Sequence, residues 1–369
     1  MKIMLVFGTR SEAIKMCPLV IELKRRRCAE VLVCVTGQHR ELLDSVLDVF
    51  GVVPDYDLAV MREGQSLFDV TTAVLSGMER VLTEANPDLV LVHGDTTTAF
   101  AAALAAFYRR IPVGHVEAGL RTGDLTAPYP EEFNRMAVSC LANYHFAPTA
   151  AAKENLLREG RPEERIFVTG NTVIDALAYT VRADYTHPVL EAAEGRRLVL
   201  MTAHRRENLG APMARIFDAV RKLALRHPEL FIVYPVHPNP AVSEAAHTSL
   251  GGMDNIALIP PLSAVDFHNF MARAVFVLTD SGGAQEEAPH FGVPVLVMRE
   301  TTERPEGIAA GTARLVGTDG DVILSSCETL LSDPAAYAKM AHAANPYGDG
   351  HASKRIADIL FASPSVNLP

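Results

Sequence analysis

The feature that most constrains the fold is an alternation of short apolar runs with longer amphipathic segments, which occurs twice along the 369 residues. The runs predict strands at residues 3–7, 31–35, 89–92, 113–116 and 145–147, and again at 198–202, 231–235, 256–259, 275–279 and 293–298. The longer segments predict helices at residues 11–26, 66–84, 97–109, 132–142, 212–226 and 284–291. Apolar strands that alternate with helices form parallel sheets covered by helices on both faces, so the chain predicts two doubly wound α/β domains.

The connection between the two domains is predicted near residue 180. Residues 175–197 carry a Tyr-Thr-His-Pro break and a charged patch, which are typical of a connecting segment. Ligands of doubly wound sheets bind at the carboxyl ends of the strands. The sequence therefore predicts a site in a cleft between the two domains.

Charge and composition exclude several classes of function. Lys and Arg number 34 against 44 Asp and Glu, a net charge of −10, which argues against nucleic acids and anionic membranes as partners. No apolar stretch approaches the ~18 residues of a membrane span. Five cysteines without a CxxC pair indicate reduced thiols in a cytoplasmic protein, and neither HExxH nor a Cys/His cluster indicates a metal. The absence of GxGxxG and GxxxxGK[ST] argues against a dinucleotide-dependent dehydrogenase and a P-loop NTPase.

A Ser-Gly-Gly turn follows the strand predicted at residues 275–279. Backbone N–H groups of Ser281, Gly282 and Gly283 at a helix start favour an anion such as phosphate. An alternative is a plain strand-to-helix turn with Ser281 as the N-cap. A carboxylate of the same segment, Glu286 or Glu287, suits the hydroxyls of a ribose.

Cationic side chains and histidines stand at or shortly after the ends of several predicted strands, or in a nearby loop. They are Arg10, Lys15, His204, Arg205, Arg206, His237 and Arg304. Gathered in one cleft, they predict a binding site for a diphosphate in spite of the acidic total charge.

Three carboxylates complete the predicted site: Asp95, Glu117 and Glu131. Several carboxylates near one anionic ligand indicate acid–base chemistry, with burial raising the pKa of at least one of them. Asp95 has an alternative role as the cap of the following helix. His93 and His115 lie within or at the ends of apolar strands, and we interpret them as hydrogen-bonded core residues.

Many segments of the chain, in order, resemble the non-hydrolysing UDP-N-acetylglucosamine 2-epimerases. The likeness covers residues 1 to 360 and rests on FGTRSEAIK (7–15), TGQHRELLD (36–44), LVHGDTTT (91–98), VGHVEAGLRTGD (113–124), YPEEFNR (129–135), FVTGNTVIDAL (167–177), TAHRREN (202–208), VYPVHPNP (233–240), LTDSGGAQEEAP (278–289), TTERPEG (301–307) and NPYGDG (345–350). These enzymes interconvert UDP-N-acetylglucosamine (UDP-GlcNAc) and UDP-N-acetylmannosamine (UDP-ManNAc).

The resemblance implies the glycosyltransferase-B architecture, with two Rossmann-like domains. The N-terminal domain is expected at residues 1–178 and the UDP-binding domain at 179–345, with 346–369 as a helix returning to the first domain and a loose tail. The resemblance implies that Arg10, Ser281, Gly282 and Gly283 hold the diphosphate, that Glu287 binds the ribose and that Phe267 lies by the uracil. It implies a reacting centre of Asp95, Glu117, Glu131 and His204.

The resemblance also implies a mechanism without a cofactor. UDP is eliminated while a carboxylate takes the proton of carbon 2, and UDP then adds back to 2-acetamidoglucal with a proton delivered to the opposite face. Which carboxylate serves which face stays open. The product would feed cell-surface polysaccharides, and a homodimer is implied. Alternatives are a hydrolysing epimerase that releases ManNAc, a glycosyltransferase of the same fold, and a non-catalytic nucleotide-sugar sensor.

Two departures from the family pattern occur. Ser11 replaces a usual Pro, and Ser is also acceptable at a helix start. Many members bind a second UDP-GlcNAc as an allosteric activator; Gln38 and Arg206 match that site, whereas Glu41 and Gly64 depart from it. The departures argue against allosteric activation.

Overall fold

The chain folds into two compact units in a computed structural model that describes residues 1–37, 40–60, 62 and 64–362. The N-terminal unit comprises Met1–Tyr179 and the chain from Tyr347 onward, and the C-terminal unit comprises Thr180–Pro346. Of the tail predicted to be loose, residues 362–369, Ala362 is the last residue of a helix and 363–369 lie outside the described residues. No helix in the described part of the chain is long and apolar enough to cross a membrane.

The N-terminal unit contains a parallel sheet in the order β3-β2-β1-β4-β5-β6-β7. Its strands are β1 (Lys2–Phe7), β2 (Glu30–Val35), β3 (Tyr56–Asp57), β4 (Leu89–His93), β5 (Val113–Val116), β6 (Tyr144–Ala147) and β7 (Ile166–Val168). Its helices are α1 (Arg10–Arg26), α2 (Arg40–Phe50), α3 (Leu67–Ala85), α4 (Thr97–Tyr108), α5 (Glu131–Leu141), α6 (Ala150–Arg158) and α7 (Thr172–Thr180). β1 is central because its apolar run is buried on both faces, and Ile3 pairs with Val31 on one side and Leu89 on the other.

The C-terminal unit contains a second parallel sheet in the order β10-β9-β8-β11-β12-β13. Its strands are β8 (Arg197–Thr202), β9 (Leu230–Pro235), β10 (Ile256–Ile259), β11 (Phe276–Thr279), β12 (Val295–Val297) and β13 (Ala313–Leu315). Its helices are α8 (Pro188–Glu191), α9 (Ala211–Arg226), α10 (Pro240–Leu250), α11 (Ala264–Met271), α12 (Gly282–Glu287), α13 (Pro305–Ala310), α14 (Gly320–Ser332) and α15 (Pro334–Ala341). Short 3₁₀ helices span Glu163–Arg165 in the N-terminal unit, and Arg206–Asn208 and Ala288–Phe291 in the C-terminal unit.

The predicted fold class is confirmed, since both sheets are parallel and their strands alternate with helices along the chain. Every predicted strand is present with ends within two residues of those expected. The sequence pattern does not predict β3, β7 and β13, which are edge strands of two or three residues. The helix predicted at residues 284–291 is α12 followed by the 3₁₀ helix Ala288–Phe291.

The last helix, α16 (Ala352–Ala362), packs on the core of the N-terminal unit through Ile356, Ala357 and Leu360. Its start is fixed by the buried carboxylate of Asp175 on α7. The backbone N–H of Ala352 donates to Oδ2 of Asp175 at 3.1 Å, and that of Ser353 donates to Oδ1 at 2.7 Å. One carboxylate thus satisfies two N–H groups that a helix start leaves without intrahelical partners.

We expect Asp175→Ala to lower the free energy of unfolding by about 1–3 kcal/mol, because two buried N–H groups lose their acceptor. Urea denaturation measures the change. The control is Asp358→Ala, which removes a partly exposed carboxylate that pairs with Arg26 and Lys354 and should cost less than about 1 kcal/mol. Equal losses in the two variants would contradict the capping role.

Candidate active site

In the N-terminal unit, the loops after β4 and β5 lie side by side. The strands are adjacent, with His93 opposite Val116, and the N–H of Gly94 extends the pairing by donating to the carbonyl of Val116 at 2.9 Å. Gly119 has φ +90°, and a Cβ there would lie 2.3 Å from the carbonyl oxygen of Ala152. This loop therefore requires glycine and a close approach to α6. The carboxylates of Asp95 and Glu117 stand on the two loops.

Glu117 is held in a demanding conformation. Its φ of +62° lies in the left-handed region, which costs a residue with a side chain of order 1 kcal/mol or more. The side chain is only 10% exposed and forms an ion pair with Lys15. Nδ2 of Asn171 donates to Oε2 at 2.8 Å, and Nε2 of His93 lies 3.8 Å from the same oxygen. Three neighbouring residues thus fix the position of this carboxylate.

Asp95 forms an ion pair with Arg135 of α5, with 2.5 Å between Oδ2 and Nη2. Burial raises the pKa of Asp95, the positive charge of Arg135 opposes that shift, and the negative charges of Glu117 and Glu131 add to it. The alternative role of Asp95 as a helix cap is wrong. Thr96 caps α4 instead, since its hydroxyl accepts the N–H of Ala99 at 3.0 Å.

The third carboxylate, Glu131, is the first residue of α5 and is partly exposed. Its negative charge and that of Glu117 both raise the pKa of Asp95, so the three predicted carboxylates interact electrostatically. Arg135 is a site residue that the sequence analysis missed. Its spacing of four from Glu131, which places both on one helix face, was the available signal.

The carboxylate of Glu12 forms hydrogen bonds with the residues that precede Arg10 and with Thr96, the residue after Asp95. Its Oε2 accepts the N–H groups of Gly8 and Thr9 at 3.0 and 2.8 Å, and its Oε1 accepts the hydroxyl of Thr96 at 2.7 Å. Thr9 and Glu12 form a capping box at the start of α1. The sequence analysis missed Glu12, although the Thr-x-x-Glu pattern signals such a box.

Two buried histidines differ in their contacts. His115 is a hydrogen-bonded core residue, as predicted: its Nε2 lies 2.8 Å from the carbonyl of Gly94, and burial lowers its pKa to about 3. Burial also lowers the pKa of His93 to about 4. Nε2 of His93, however, has no hydrogen-bond partner among the described residues. Both rings are therefore neutral near pH 7.

In the C-terminal unit, polar loops follow the adjacent strands β8 and β11. The hydroxyls of Thr202 and Thr279, at the strand ends, lie 2.6 Å apart. His204 and Arg205 follow the first strand, and Asp280 follows the second. The N–H groups of His204 and Arg205 both donate to Oδ2 of Asp280 at 2.8 Å. Asp280 thereby fixes the backbone of the loop that carries these two predicted site residues.

The Ser-Gly-Gly turn opens α12. Ser281 occupies the N-cap position, but its side chain makes no capping hydrogen bond. A Cβ on Gly282 would lie 3.2 Å from Oε1 of Glu303, and one on Gly283 would lie 3.4 Å from Oε1 of Glu287. A side chain at Gly282 would therefore press on Glu303, whereas a Cβ at Gly283 would make an ordinary contact with Glu287.

Two of the predicted cations of this unit are paired with carboxylates. Arg304 forms an ion pair with the buried Glu286, and Nη2 of Arg205 lies 2.7 Å from Oε1 of Glu303. The sequence analysis predicted these arginines as carriers of positive charge and did not identify their partners. The pairing moderates the positive potential beside the Ser-Gly-Gly turn.

Glu287, Phe267 and His237, which are predicted to contact the nucleotide, all lie in the C-terminal unit. Oε2 of Glu287 lies 3.4 Å from Nε2 of His268, whose Nδ1 contacts the hydroxyl of Thr180 at 2.8 Å. Phe267 is a partly buried residue of α11. His237 follows β9, and its ring stacks on that of His204 with 5.7 Å between centroids.

Part of the predicted second nucleotide site lies outside the described residues, namely Gln38 and the side chains of Glu41 and Arg206. Gly64 lies in a turn with φ +75°, and a Cβ there would meet nothing within 4 Å. Within the described ranges, no group of three or more His, Cys, Asp or Glu residues could hold a metal ion.

Comparison with known proteins assigns the chain to a family. The sequence model of the family described as UDP-N-acetylglucosamine 2-epimerase matches residues 21–361. The UDP-N-acetylglucosamine 2-epimerase of Bacillus subtilis (strain 168) is 55% identical over 361 residues, covering 98% of this chain and 95% of the relative. The crystal structure of UDP-GlcNAc 2-epimerase from Neisseria meningitidis bound to UDP-GlcNAc is similar, with 47% identity, a TM-score of 0.88, and coverage of 98% of this chain and 100% of that chain.

A more distant likeness concerns the fold alone. The glycotransferase of kitacinnamycin shares 15% identity with a TM-score of 0.67 and covers 98% of each chain. This similarity agrees with the fold class predicted from the sequence.

Proposed function

The chain belongs to the UDP-N-acetylglucosamine 2-epimerase family, and we propose that it interconverts UDP-GlcNAc and UDP-ManNAc without hydrolysing either. The observation that carries this proposal is the carboxylate cluster of the N-terminal unit. Glu117 is held in a left-handed conformation beside Lys15 and Asn171, and the pKa of Asp95 is raised by burial. Strained and partly desolvated carboxylates are suited to acid–base chemistry.

The chemistry explains why more than one carboxylate is needed. The hydrogen on carbon 2 of GlcNAc is not acidic enough for direct exchange, because carbon 2 bears no carbonyl. One carboxylate takes that proton, the C2–H electrons form the C1–C2 double bond, and the C1–O bond breaks with its electrons leaving on UDP. In the return step UDP adds to carbon 1 of 2-acetamidoglucal, and an acid delivers a proton to the other face of carbon 2. The two faces require two positioned groups.

We propose that the nucleotide binds mainly to the C-terminal unit. We propose that the N–H groups of the Ser281-Gly282-Gly283 turn bind the diphosphate, together with Arg10, Lys15, Arg205, His237 and Arg304. Glu287 would accept the ribose hydroxyls, Phe267 would lie by the uracil, and His204 would act at the reacting centre. Support comes from the Neisseria meningitidis relative, which is bound to UDP-GlcNAc in its crystal structure.

Product analysis tests the function. With UDP-GlcNAc as the sole added reactant, we expect UDP-ManNAc as the product, identified by NMR. Free ManNAc with UDP would favour the hydrolysing alternative. Unchanged UDP-GlcNAc without an acceptor would favour a glycosyltransferase or a sensor. The Glu117→Gln variant, purified in the same way, controls for contaminating enzymes.

The proposal extends to assembly and to the use of the product. We infer a homodimer, because helices α3, α4 and α5 carry large exposed apolar side chains: Phe68, Phe107, Tyr108 and Phe133 are between 50% and 85% exposed. Light scattering in solution measures this, and the mass of a single chain would contradict it. By the family resemblance, UDP-ManNAc would feed the synthesis of ManNAc-containing cell-surface polysaccharides.

A further inference from the structure

Asp280 combines complete burial with a full set of polar contacts. It directly follows β11 and has no exposed surface. Its Oδ2 accepts the N–H groups of His204 and Arg205 at 2.8 Å and the side-chain amide of Asn208 at 3.2 Å. Three donors on one oxygen fix the orientation of the carboxyl group. Because the carboxyl group is rigid, the contacts of Oδ2 also fix the position of the other oxygen, Oδ1.

Oδ1 of Asp280 lies 3.1 Å from Nδ1 of His204. No other described group forms a hydrogen bond with this buried oxygen. A buried carboxylate oxygen is costly without a donor, and Nδ1–H is the donor within reach. A proton on Nδ1 satisfies the carboxylate and leaves Nε2 of the same ring for another partner.

The imidazole of His204 is held on a second side. Its ring stacks on that of His237 with an interplanar angle of 9° and 5.7 Å between centroids, while 36% of the side chain stays exposed. The ring is thus oriented by a carboxylate at Nδ1 and by a parallel ring on its face. Its exposed fraction is available to a ligand.

We propose that Asp280 is a positioning residue of the epimerisation reaction: it accepts the Nδ1–H of His204, so that Nε2 is the nitrogen that takes up a further proton and donates it in a hydrogen bond to the diphosphate of the substrate. The inference rests on the proposed function, in which His204 belongs to the reacting centre. Asp280 itself does not touch the substrate in this account. It makes Nε2 the imidazole nitrogen whose N–H donates to the departing UDP.

The Asp280→Asn variant is expected to reverse the tautomer of His204. An amide has one oxygen, and the three donors at the Oδ2 position select it as their acceptor. The amide NH₂ then stands where Oδ1 stood and donates to Nδ1 of His204. A neutral imidazole that accepts at Nδ1 carries its proton on Nε2, which is the opposite tautomer.

The test reads the tautomer by ¹⁵N NMR of the histidine side chains in the full-length enzyme, above pH ~8 where an ordinary imidazole is neutral. The His204 signals are assigned by their loss in His204→Gln. We expect the Nδ1–H form in the wild type and the Nε2–H form in Asp280→Asn. We also expect kcat to fall by about 100-fold or more in Asp280→Asn, with KM for UDP-GlcNAc within about threefold of the wild type.

The control is Asp218→Asn, which alters an exposed carboxylate of α9 paired with Lys222 and should keep the wild-type tautomer and kcat. An Nε2–H form in the wild type would overturn the inference even if Asp280→Asn did not fold. A wild-type kcat in Asp280→Asn, together with a large loss in His204→Gln, would also overturn it. Wild-type turnover in His204→Gln would instead overturn the proposed role of His204.

Discussion

We expect Glu117→Gln to lower kcat for the epimerisation of UDP-GlcNAc by about 10³-fold, with the Kd for UDP within about threefold of the wild type. An amide has nearly the shape of the carboxylate but cannot take up a proton at neutral pH. The chemical step is lost, whereas nucleotide binding, which is assigned to other residues, is retained.

The Glu117→Gln substitution should leave most contacts of residue 117 in place. Asn171 still has an amide oxygen to donate to, and the left-handed backbone at position 117 is unchanged. Lys15 loses its charged partner, which a melting curve should register as a modest change in stability. Steady-state kinetics and calorimetric titration with UDP separate turnover from binding.

The matched control for this variant is Glu163→Gln, which alters an exposed carboxylate paired with Lys153 in the same unit. Its kcat should equal that of the wild type, because exposed ion pairs contribute little. A Glu117→Gln variant that turns over within about threefold of the wild type would remove Glu117 from the mechanism.

The second large effect is expected for Arg135→Met, which removes the positive charge beside Asp95. Burial already raises the pKa of Asp95, and Arg135 opposes that rise. Without the guanidinium the pKa rises further, so a larger fraction of Asp95 is protonated at neutral pH. We expect kcat/KM near pH 7 to fall by about 100-fold.

The pH dependence gives the sign of this effect. Ionised Asp95 is present only above its pKa, so the acid limb of the kcat/KM profile should move to higher pH in Arg135→Met. Arg135→Lys retains the charge and should move the limb less. An acid limb that stays in place in Arg135→Met would show that Asp95 does not act as an ionised base.

The sequence predicts the architecture well because the signal is local. Apolar runs of three to six residues, separated by amphipathic helices, specify parallel strands buried on both faces. β1 is the clearest case, since Ile3–Phe7 is buried on both sides of the sheet. The short strands β3, β7 and β13 were missed because edge strands of two or three residues depend on neighbouring strands rather than on their own pattern.

The site is predicted less completely because its contacts are tertiary. The carboxylates Asp95 and Glu117 could be singled out, since each follows an apolar strand. The pairing of Asp95 with Arg135 could not be predicted, because the two residues are forty apart in sequence. The contact of Glu12 with the hydroxyl of Thr96, and the contacts of Asp280 with the N–H groups of His204 and Arg205, likewise depend on loops that only the fold brings within reach.

The most direct test of the account is epimerisation in deuterated water. Proton removal and return at carbon 2 predict that UDP-ManNAc formed from UDP-GlcNAc carries deuterium at carbon 2, which NMR detects as the loss of the H2 signal. At equilibrium the remaining UDP-GlcNAc should carry deuterium there as well, because the reaction is reversible. UDP-ManNAc that retains the original hydrogen at carbon 2 would contradict the acid–base mechanism and the role of the carboxylate cluster.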